Sequence, residues 1–587
     1  VATPTELTLS GTLLRVSDGA VVANGSVAGA PDSVAVLVNR LTARLLSLEA
    51  GEERERLDGL ATTSLEALQD YLAGQKAYRR GEYDTAMDLY GRALGRDSNF
   101  VQAVFGLVKT NPLIGSVSRV EGLRAIATVW RLRERLSTRD VALLRSMTFV
   151  GPNYPGPSSH AEIIAQAERA AAGAPDSPEQ WLQLGYGLAQ YGAVASIPDW
   201  PRRAAEALDR AVALDSGFAP AVQARLFLTT RASDPVTTRR LMAAMEAPVR
   251  QGFADATTLW SAAVLMGDSA AARRWRSQDG DSTGINFFHQ AVKLSLHSVQ
   301  VGLPLADARW ANETLRRRGA TDRQRNSAWL GERAVAFAEG RLVTFSPLDG
   351  GGEAWNVAHL TTQSMVEPAY RAQALAMTAG DDPELHRYRS EGAPLEWPPI
   401  RDCFVELLRV DMGDSSTTRR AIRQLREFAA LDAPPLPPHL WGPIEMRICP
   451  LLLEAMLENG RDRTAGSRLE ALDALMRDGP RWLTLGPPAV PVVAANWTIA
   501  RLREAQGDLP RALAAIRRRE NNYYPGYLWT LPAFLRQEGR LAALVGDSAG
   551  ARAAYDHYLT LRTAPDEPFR AQRDSVVAER ASLEATR

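Results

Sequence analysis

The chain has 587 residues, 45% of them apolar, with Lys+Arg and Asp+Glu balanced at 68 each. One compact core does not serve that length, which implies about three or four globular domains or a repeat array whose units contact only their neighbours. Zero formal net charge removes the electrostatic drive toward nucleic acid or anionic lipid, and no run approaches the roughly 18 apolar residues a membrane helix needs. Positive charge is nearly all Arg, with Lys76, Lys109 and Lys293 the only lysines. The first residue is Val1 and no signal peptide is recognisable, so a preceding segment is expected and the compartment is left open, cytoplasmic unless an upstream anchor or signal exists.

In chain order, Glu6 to Val16 alternates in part through Leu7, Leu9, Leu13 and Val16. Ser17-Asp18-Gly19 is a turn signal, and Ala20 to Val27 is a second strand-like run. Asp32 and Ser33 offer a cap to a helix carrying Val34, Leu37, Val38, Leu41 and Leu45. A lone hairpin with one helix is too small to be stable alone, so residues 1–50 read as a partial β-β-α unit.

Thr62 to Phe100 organises the rest. Leu65, Leu68, Leu72 and Ala73 give one apolar helical stripe, and Ala86, Leu89, Tyr90, Ala93 and Leu94 give its match across a break at Gly81-Glu82. Ser64 and Asp84 are the expected caps, with Gly74, Ala86 and Ala93 at the close contacts. This hairpin resembles a tetratricopeptide repeat on Gly74, Ala86, Tyr90 and Ala93, with Ser98 where that family usually has Pro. Together with LTLSGTLLRVSDGAVVANGSVAGAPDSVAVLVNRLTARLL, it is also similar to a bacterial arrangement in which a TolB-like module leads into such repeats. That resemblance implies an upstream transcriptional-activator or Ser/Thr-kinase domain.

A Pro/Gly-rich loop at residues 151–159 precedes a second clear repeat from Ser177 to Pro220, with Trp181, Leu184, Gly185 and Leu188 on one helix and Ala204, Leu208 and Ala211 on the next. Later units share a Gly-Asp mark at Gly267-Asp268, Gly413-Asp414, Gly460-Arg461-Asp462, Gly507-Asp508 and Gly546-Asp547; three of these glycines are spaced by 47 residues. The glycine ends one helix and the aspartate caps the next. A last hairpin runs from Leu531 to Leu561, with Gly539, Ala551, Tyr555 and Tyr558 at its contacts, and Arg573 to Thr586 closes the chain as a polar helix. Ser346 to Glu353 breaks the pattern and divides the array into 62–345 and 354–587. The expected class is all-α, a tetratricopeptide-like α-solenoid with a small N-terminal β-β-α piece.

Chemistry-bearing motifs are weak. The Gly-rich piece SPLDGGGE lacks the Lys-Ser/Thr of a phosphate loop and reads as a plain loop. Gly546 to Gly550 matches a nucleophile elbow, but that motif needs a strand before Ser548, and RQEGRLAALV reads as helix. His289 and His297 have no carboxylate or Cys at zinc-ligand spacing. Cys403 and Cys449, one repeat length apart, could be neighbours in stacked units; two buried thiols are expected, since a disulfide requires an oxidising compartment. Pro434 to Pro438 is a short polyproline piece, expected to act as a stiff loop. Asn521 to Tyr527, with Tyr523, Tyr524 and nearby Trp529, is an aromatic cluster suited either to an interface or to packing a loop.

The expectation is therefore a non-enzymatic interaction scaffold with no catalytic set, cofactor or metal. The alternatives are the regulatory region of a bacterial transcription regulator or kinase, and an extrinsic subunit of a large, membrane-bound or energy-transducing complex. The partner is a protein or peptide. The first helix of each unit lines a concave groove in the resembled family, which selects Tyr71, Gln75 and Tyr78, Tyr186 and Gln190, and Arg536 and Arg540 as groove residues. Tyrosines supply apolar area with a polar tip, and Arg clamps carboxylates.

Overall fold

The computed structural model describes residues 3, 5–49, 64–114, 119–147, 150–156, 158–228, 234–250, 256–277, 299, 302, 305–318, 322–344, 353–378, 397–430, 443–459, 466–478, 489–519 and 525–585. Among the described residues, helix makes up 76%, in 26 helices, and the only sheet has two strands. The protein is all-α with a small N-terminal β piece.

Strands β1 (Leu7–Leu14) and β2 (Val21–Gly29) pair antiparallel, Gly11 opposite Gly25, around a turn where Gly19 takes φ of +70°. Helix α1 (Val34–Glu49) lies on one face of the pair. It comes so close that a Cβ on Gly29 would stand 2.9 Å from Leu37.

Helices α2 (Leu65–Arg79) and α3 (Tyr83–Arg96) form the first hairpin. Ser64 caps α2 by accepting from the Ala67 amide at 3.1 Å. Asp84 does not cap α3: it lies inside the first turn, where a carboxylate still suits the helix dipole, while Glu82 occupies the cap position without a side-chain bond. The predicted close contact at Gly74 is present. A Cβ there would stand 2.7 Å from the Tyr90 ring, and one on Gly106 would meet the same ring, near its hydroxyl end, at 2.7 Å. Tyr90 is thereby held between α2 and the following helix, α4 (Val101–Ile114).

The chain continues through α5 (Arg119–Arg131), α6 (Thr138–Ser146), α7 (His160–Gly173), α8 (Pro178–Tyr191), α9 (Trp200–Leu214), α10 (Ala219–Phe227), α11 (Pro235–Arg250), α12 (Ala256–Leu265) and α13 (Ser269–Ser277). Most helices pack against the next in sequence. In the α8–α9 hairpin, Gly185 admits Leu208. The second half comprises α14 (Leu305–Arg318), α15 (Asp322–Glu339), α16 (Glu353–Val366), α17 (Arg371–Thr378), α18 (Trp397–Asp411), α19 (Thr418–Ala430) and α20 (Pro443–Asn459). It ends with α21 (Ser467–Asp478), α22 (Ala489–Ala505), α23 (Leu509–Arg517), α24 (Pro525–Leu544), α25 (Ser548–Leu561) and α26 (Phe569–Ala585).

The Gly-Asp mark is a helix stop joined to a helix start. Gly267, Gly413, Gly507 and Gly546 all have positive φ. The amide of each following aspartate donates back across the finished helix end, as Asp547 N–H does to Ala542 O at 2.8 Å. Asp268, Asp508 and Asp547 then cap the next helix. Asp414 instead closes a local turn onto Ser416. The Gly460 copy lies outside the described residues, as does residue range 345–352.

The halves share α15. Ala328 packs with the first core, whereas Ala334 to Ala338 pack with Val299, Leu360, Trp529 and Tyr558. Helix α16 is enclosed from Val357 onward: each residue from Val357 to Glu367 is buried, Thr361, Thr362, Gln363 and Ser364 among them. The closing hairpin α25–α26 holds the middle of the chain. His557 Nε2 meets Val299 O at 2.9 Å, Asp566 N–H donates to Gly340 O at 2.9 Å, and buried Arg562 pairs with buried Glu367 at 3.1 Å.

Cys403 on α18 and Cys449 on α20 form a disulfide, which corrects the expectation of two thiols. The two helices stack as neighbours and bury both sulfurs, so the repeat-length spacing brings them together.

Candidate interaction site

Of the residues expected to face a groove, Tyr71, Gln75 and Tyr78 do not: all three are buried. Tyr71 packs on Phe100 with centroids 5.1 Å apart, and Gln75 donates to the Tyr71 hydroxyl at 2.9 Å while accepting from Tyr90 at 2.5 Å. Tyr78 packs on Phe218 at 5.9 Å. The face of α2 that bears them is met by α4 and by the α9–α10 region of the same chain. Arg79 pairs with Asp215, and Tyr83 donates to Gln223 at 3.0 Å. These sequence-distant partners explain the miss: helical periodicity shows which residues share a face and not what returns to cover it.

Lys109 and Glu179 are the site residues that the sequence reading left out. They form a buried ion pair at 2.9 Å, and the ammonium lies 5.3 Å from the centroids of both Tyr78 and Phe105. A signal was there: Lys109 is a lone charge in the apolar run VQAVFGLVK. Tyr186 and Gln190 lie on the adjoining α8, half-buried. Burial raises the Tyr186 phenol above its ordinary value, against a lowering hydrogen bond from Gln190. Burial and then Tyr186 raise Tyr83. Tyr83, Tyr186, Gln190 and Gln223 thus make a tyrosine–glutamine lining beside the neutralised Lys109–Glu179 pair.

On α24, Arg540 is half-buried and occupied, pairing with Glu504 at 2.6 Å and donating to Gln537 at 3.2 Å. Arg536, also half-buried, has no ion pair among the described residues, and its charge acts on the Tyr555 and Tyr558 phenols. Tyr523 and Tyr524 lie outside the described residues. Trp529, from the same aromatic stretch, is core: it packs on Phe337 at 5.1 Å and on His359 at 4.8 Å. Burial pushes the His359 imidazole down to about 3.

Ser548 follows a helix, not a strand, and begins α25 directly after its cap Asp547, so the elbow geometry is absent. His289, His297 and the polyproline piece lie outside the described residues. Among the described residues no group of three His, Cys, Asp or Glu side chains is placed to hold a metal, and no helix is long and apolar enough to cross a membrane. Several charges are held in ion pairs: buried Arg503 and Arg518 both meet Asp473, and Arg371 and Arg501 both meet the Asp411 carboxylate. Such groups are suited to holding helices in place, and of the expected groove residues Tyr186, Gln190 and Arg536 keep half-exposed aromatic, amide and guanidinium surface.

The class the fold defines is all-α, with helices packed mostly against their sequence neighbours and a small N-terminal β piece. No protein-family model matches the chain, and no curated protein matches it.

Proposed function

We propose that the protein is a non-enzymatic scaffold, a tetratricopeptide-like solenoid that holds a protein or peptide partner. The observation that carries this reading is the recurrence of one hairpin device. Gly74 receives Tyr90, and Gly539 receives Tyr555 in the same way hundreds of residues later. Repeats built on a common contact generate extended surfaces rather than a single reaction centre. The contact residues are Tyr186, Gln190 and Arg536, with Arg540 beside them; tyrosine and glutamine suit the amides of an extended peptide, and Arg536 suits an acidic side chain. Tyr71, Gln75 and Tyr78 support the first hairpin instead. The test is cross-linking and stoichiometric co-purification from the native host, comparing wild type with Tyr186→Ala, Gln190→Ala and Arg536→Ala combined. Loss of the partner with an unchanged helical spectrum is expected; retention would refute this choice of surface.

A second reading is favoured by the Cys403–Cys449 bridge. Disulfides persist in oxidising compartments, which suits an accessory subunit held outside the cytoplasm against a larger assembly. Alkylation of denatured protein freshly isolated under acid quench distinguishes the two: labelling of both cysteines before reduction excludes it.

A further inference from the structure

We propose that the outer face of α19 docks an acidic segment of a partner protein, with Arg419, Arg420 and Arg423 as its contacts. Helix α19 turns Thr418, Ala421, Ile422 and Leu425 inward, and all four are buried. At roughly 100° per residue, the three arginines fall in one arc opposite that buried stripe. All three are exposed, and none makes an ion pair with a described residue.

Two features set this face apart. Many exposed arginines elsewhere stand beside a carboxylate, as in Arg202–Glu206, Arg316–Glu332 and Arg580–Asp556. Around α19 the carboxylates are already engaged. Glu406 accepts from Arg409, Thr417 and Thr418, Asp411 meets Arg371 and Arg501, and Asp414 folds onto Ser416. Glu454 holds Arg426 and Arg468. Glu427, the helix's own acidic residue, lies on the same arc without an ion pair, so positive charge is in excess there. The second feature is placement. The first turn of α19 holds Arg419 and Arg420 and no acidic residue, at the helix end where the backbone dipole disfavours cations. A cost left uncompensated within the chain points to a counter-charge outside it.

The chemistry selects the occupant. Guanidinium forks match carboxylates bidentately. Arg419 and Arg423 stand about 6 Å apart along the helix axis, the spacing of carboxylates four apart on a helix or two apart on a strand. An anionic bilayer is a poorer match, because lipid surfaces are held by clusters of about 4–8 basic residues. Moreover, Met412 is the sole large exposed apolar side chain among the described residues from 397 to 430. Nucleic-acid duplexes likewise draw on longer arrays of phosphate contacts. The platform is braced: the Cys403–Cys449 bridge ties α18 to α20, and α19 packs on both, so docking requires little ordering. This surface is separate from Tyr186, Gln190 and Arg536 and does not depend on them.

Fluorescence anisotropy on the full chain tests this with a labelled helical peptide bearing glutamate at every fourth position and a matched peptide with glutamine there. The acidic peptide should bind and the glutamine peptide should not. Affinity should fall at least about tenfold in Arg419→Gln combined with Arg420→Gln and Arg423→Gln, and likewise between about 50 and 300 mM salt. The three positions are exposed, so the helical spectrum should stay that of wild type. Removing the same charge at exposed Arg124, Arg131 and Arg210, each changed to Gln, should leave binding unaltered. Equal binding by the two triple variants overturns the proposal, as does an acidic peptide that fails to bind wild type at about 1 mM. Tighter, Arg419-dependent binding to phosphatidylserine vesicles or to a DNA duplex also overturns it.

Discussion

Replacing Gly74 by Ala and replacing Gly91 by Ala are the same chemical change one helix apart, and the structure gives them opposite signs. In a helix interior Ala is favoured over Gly by about 1 kcal/mol. Gly91 and Gly95 of α3 are exposed, and a Cβ on either meets nothing within 4 Å. Each should stabilise the protein by about that amount when changed to Ala. At Gly74 the new methyl would stand 2.7 Å from the Tyr90 ring, far inside contact distance. The ring is confined: Gly106 also lies close against it, and its hydroxyl is bound to Gln75 at 2.5 Å. Overpacking of this kind costs about 1–3 kcal/mol, which exceeds the helical gain. The helical gain is common to both, so the expected difference between the two variants is the overpacking cost, about 1–3 kcal/mol. Urea denaturation of the full chain, followed by far-UV circular dichroism, measures it through the transition midpoint at unchanged slope. A Gly74→Ala protein as stable as Gly91→Ala would refute the close contact and with it the register of α2, α3 and α4.

Three further outcomes are expected. Cys403→Ala with Cys449→Ala opens a bridge spanning 46 residues, and chain entropy sets the loss at about 4 kcal/mol, read as a lower urea midpoint that reductant no longer changes. Glu367→Gln leaves the Arg562 guanidinium buried without its counter-charge and should cost about 3–5 kcal/mol by the same assay, whereas opening an exposed surface pair such as Arg202–Glu206 should leave the midpoint nearly unchanged. Burial holds His359 near 3 in the folded state against an ordinary value near 6.5, so the unfolded chain binds the proton first. The His359 contribution to stability should be constant above about pH 6.5 and fall by up to about 1.4 kcal/mol per unit below it, with His359→Gln removing that part of the slope and the likewise buried His557 retaining its own.

Local signals in the sequence located helices well, because they act within one turn. Ser64 caps, Gly74 admits Tyr90, and the Gly-Asp marks at Gly267, Gly507 and Gly546 each end one helix and begin the next. The site was less legible because its environment comes from far along the chain. Tyr78 was assigned to open surface, and Phe218 with Lys109 fills that space. The polar run Thr361 to Ser364 gives no hint of enclosure, since burial of α16 depends on α18, α22 and α24 closing around it. Cys403 and Cys449 carried the right spacing for contact, but compartment chemistry, not sequence, decides between thiols and a bridge.

The grip of the closing hairpin on the middle of the chain bears on synthesis at the ribosome. Arrays of neighbour-only contacts acquire structure steadily as they emerge. Here Glu367 waits 195 residues for Arg562, and Val299 waits 258 for His557. At about 5–20 residues per second, those gaps last tens of seconds. Throughout that interval the faces of α15 and α16 that the hairpin covers are presented to the nascent chain's surroundings, so the second half cannot complete its core until translation is nearly finished. A chain cut short before α25 would keep its first half and lose the closure of its second.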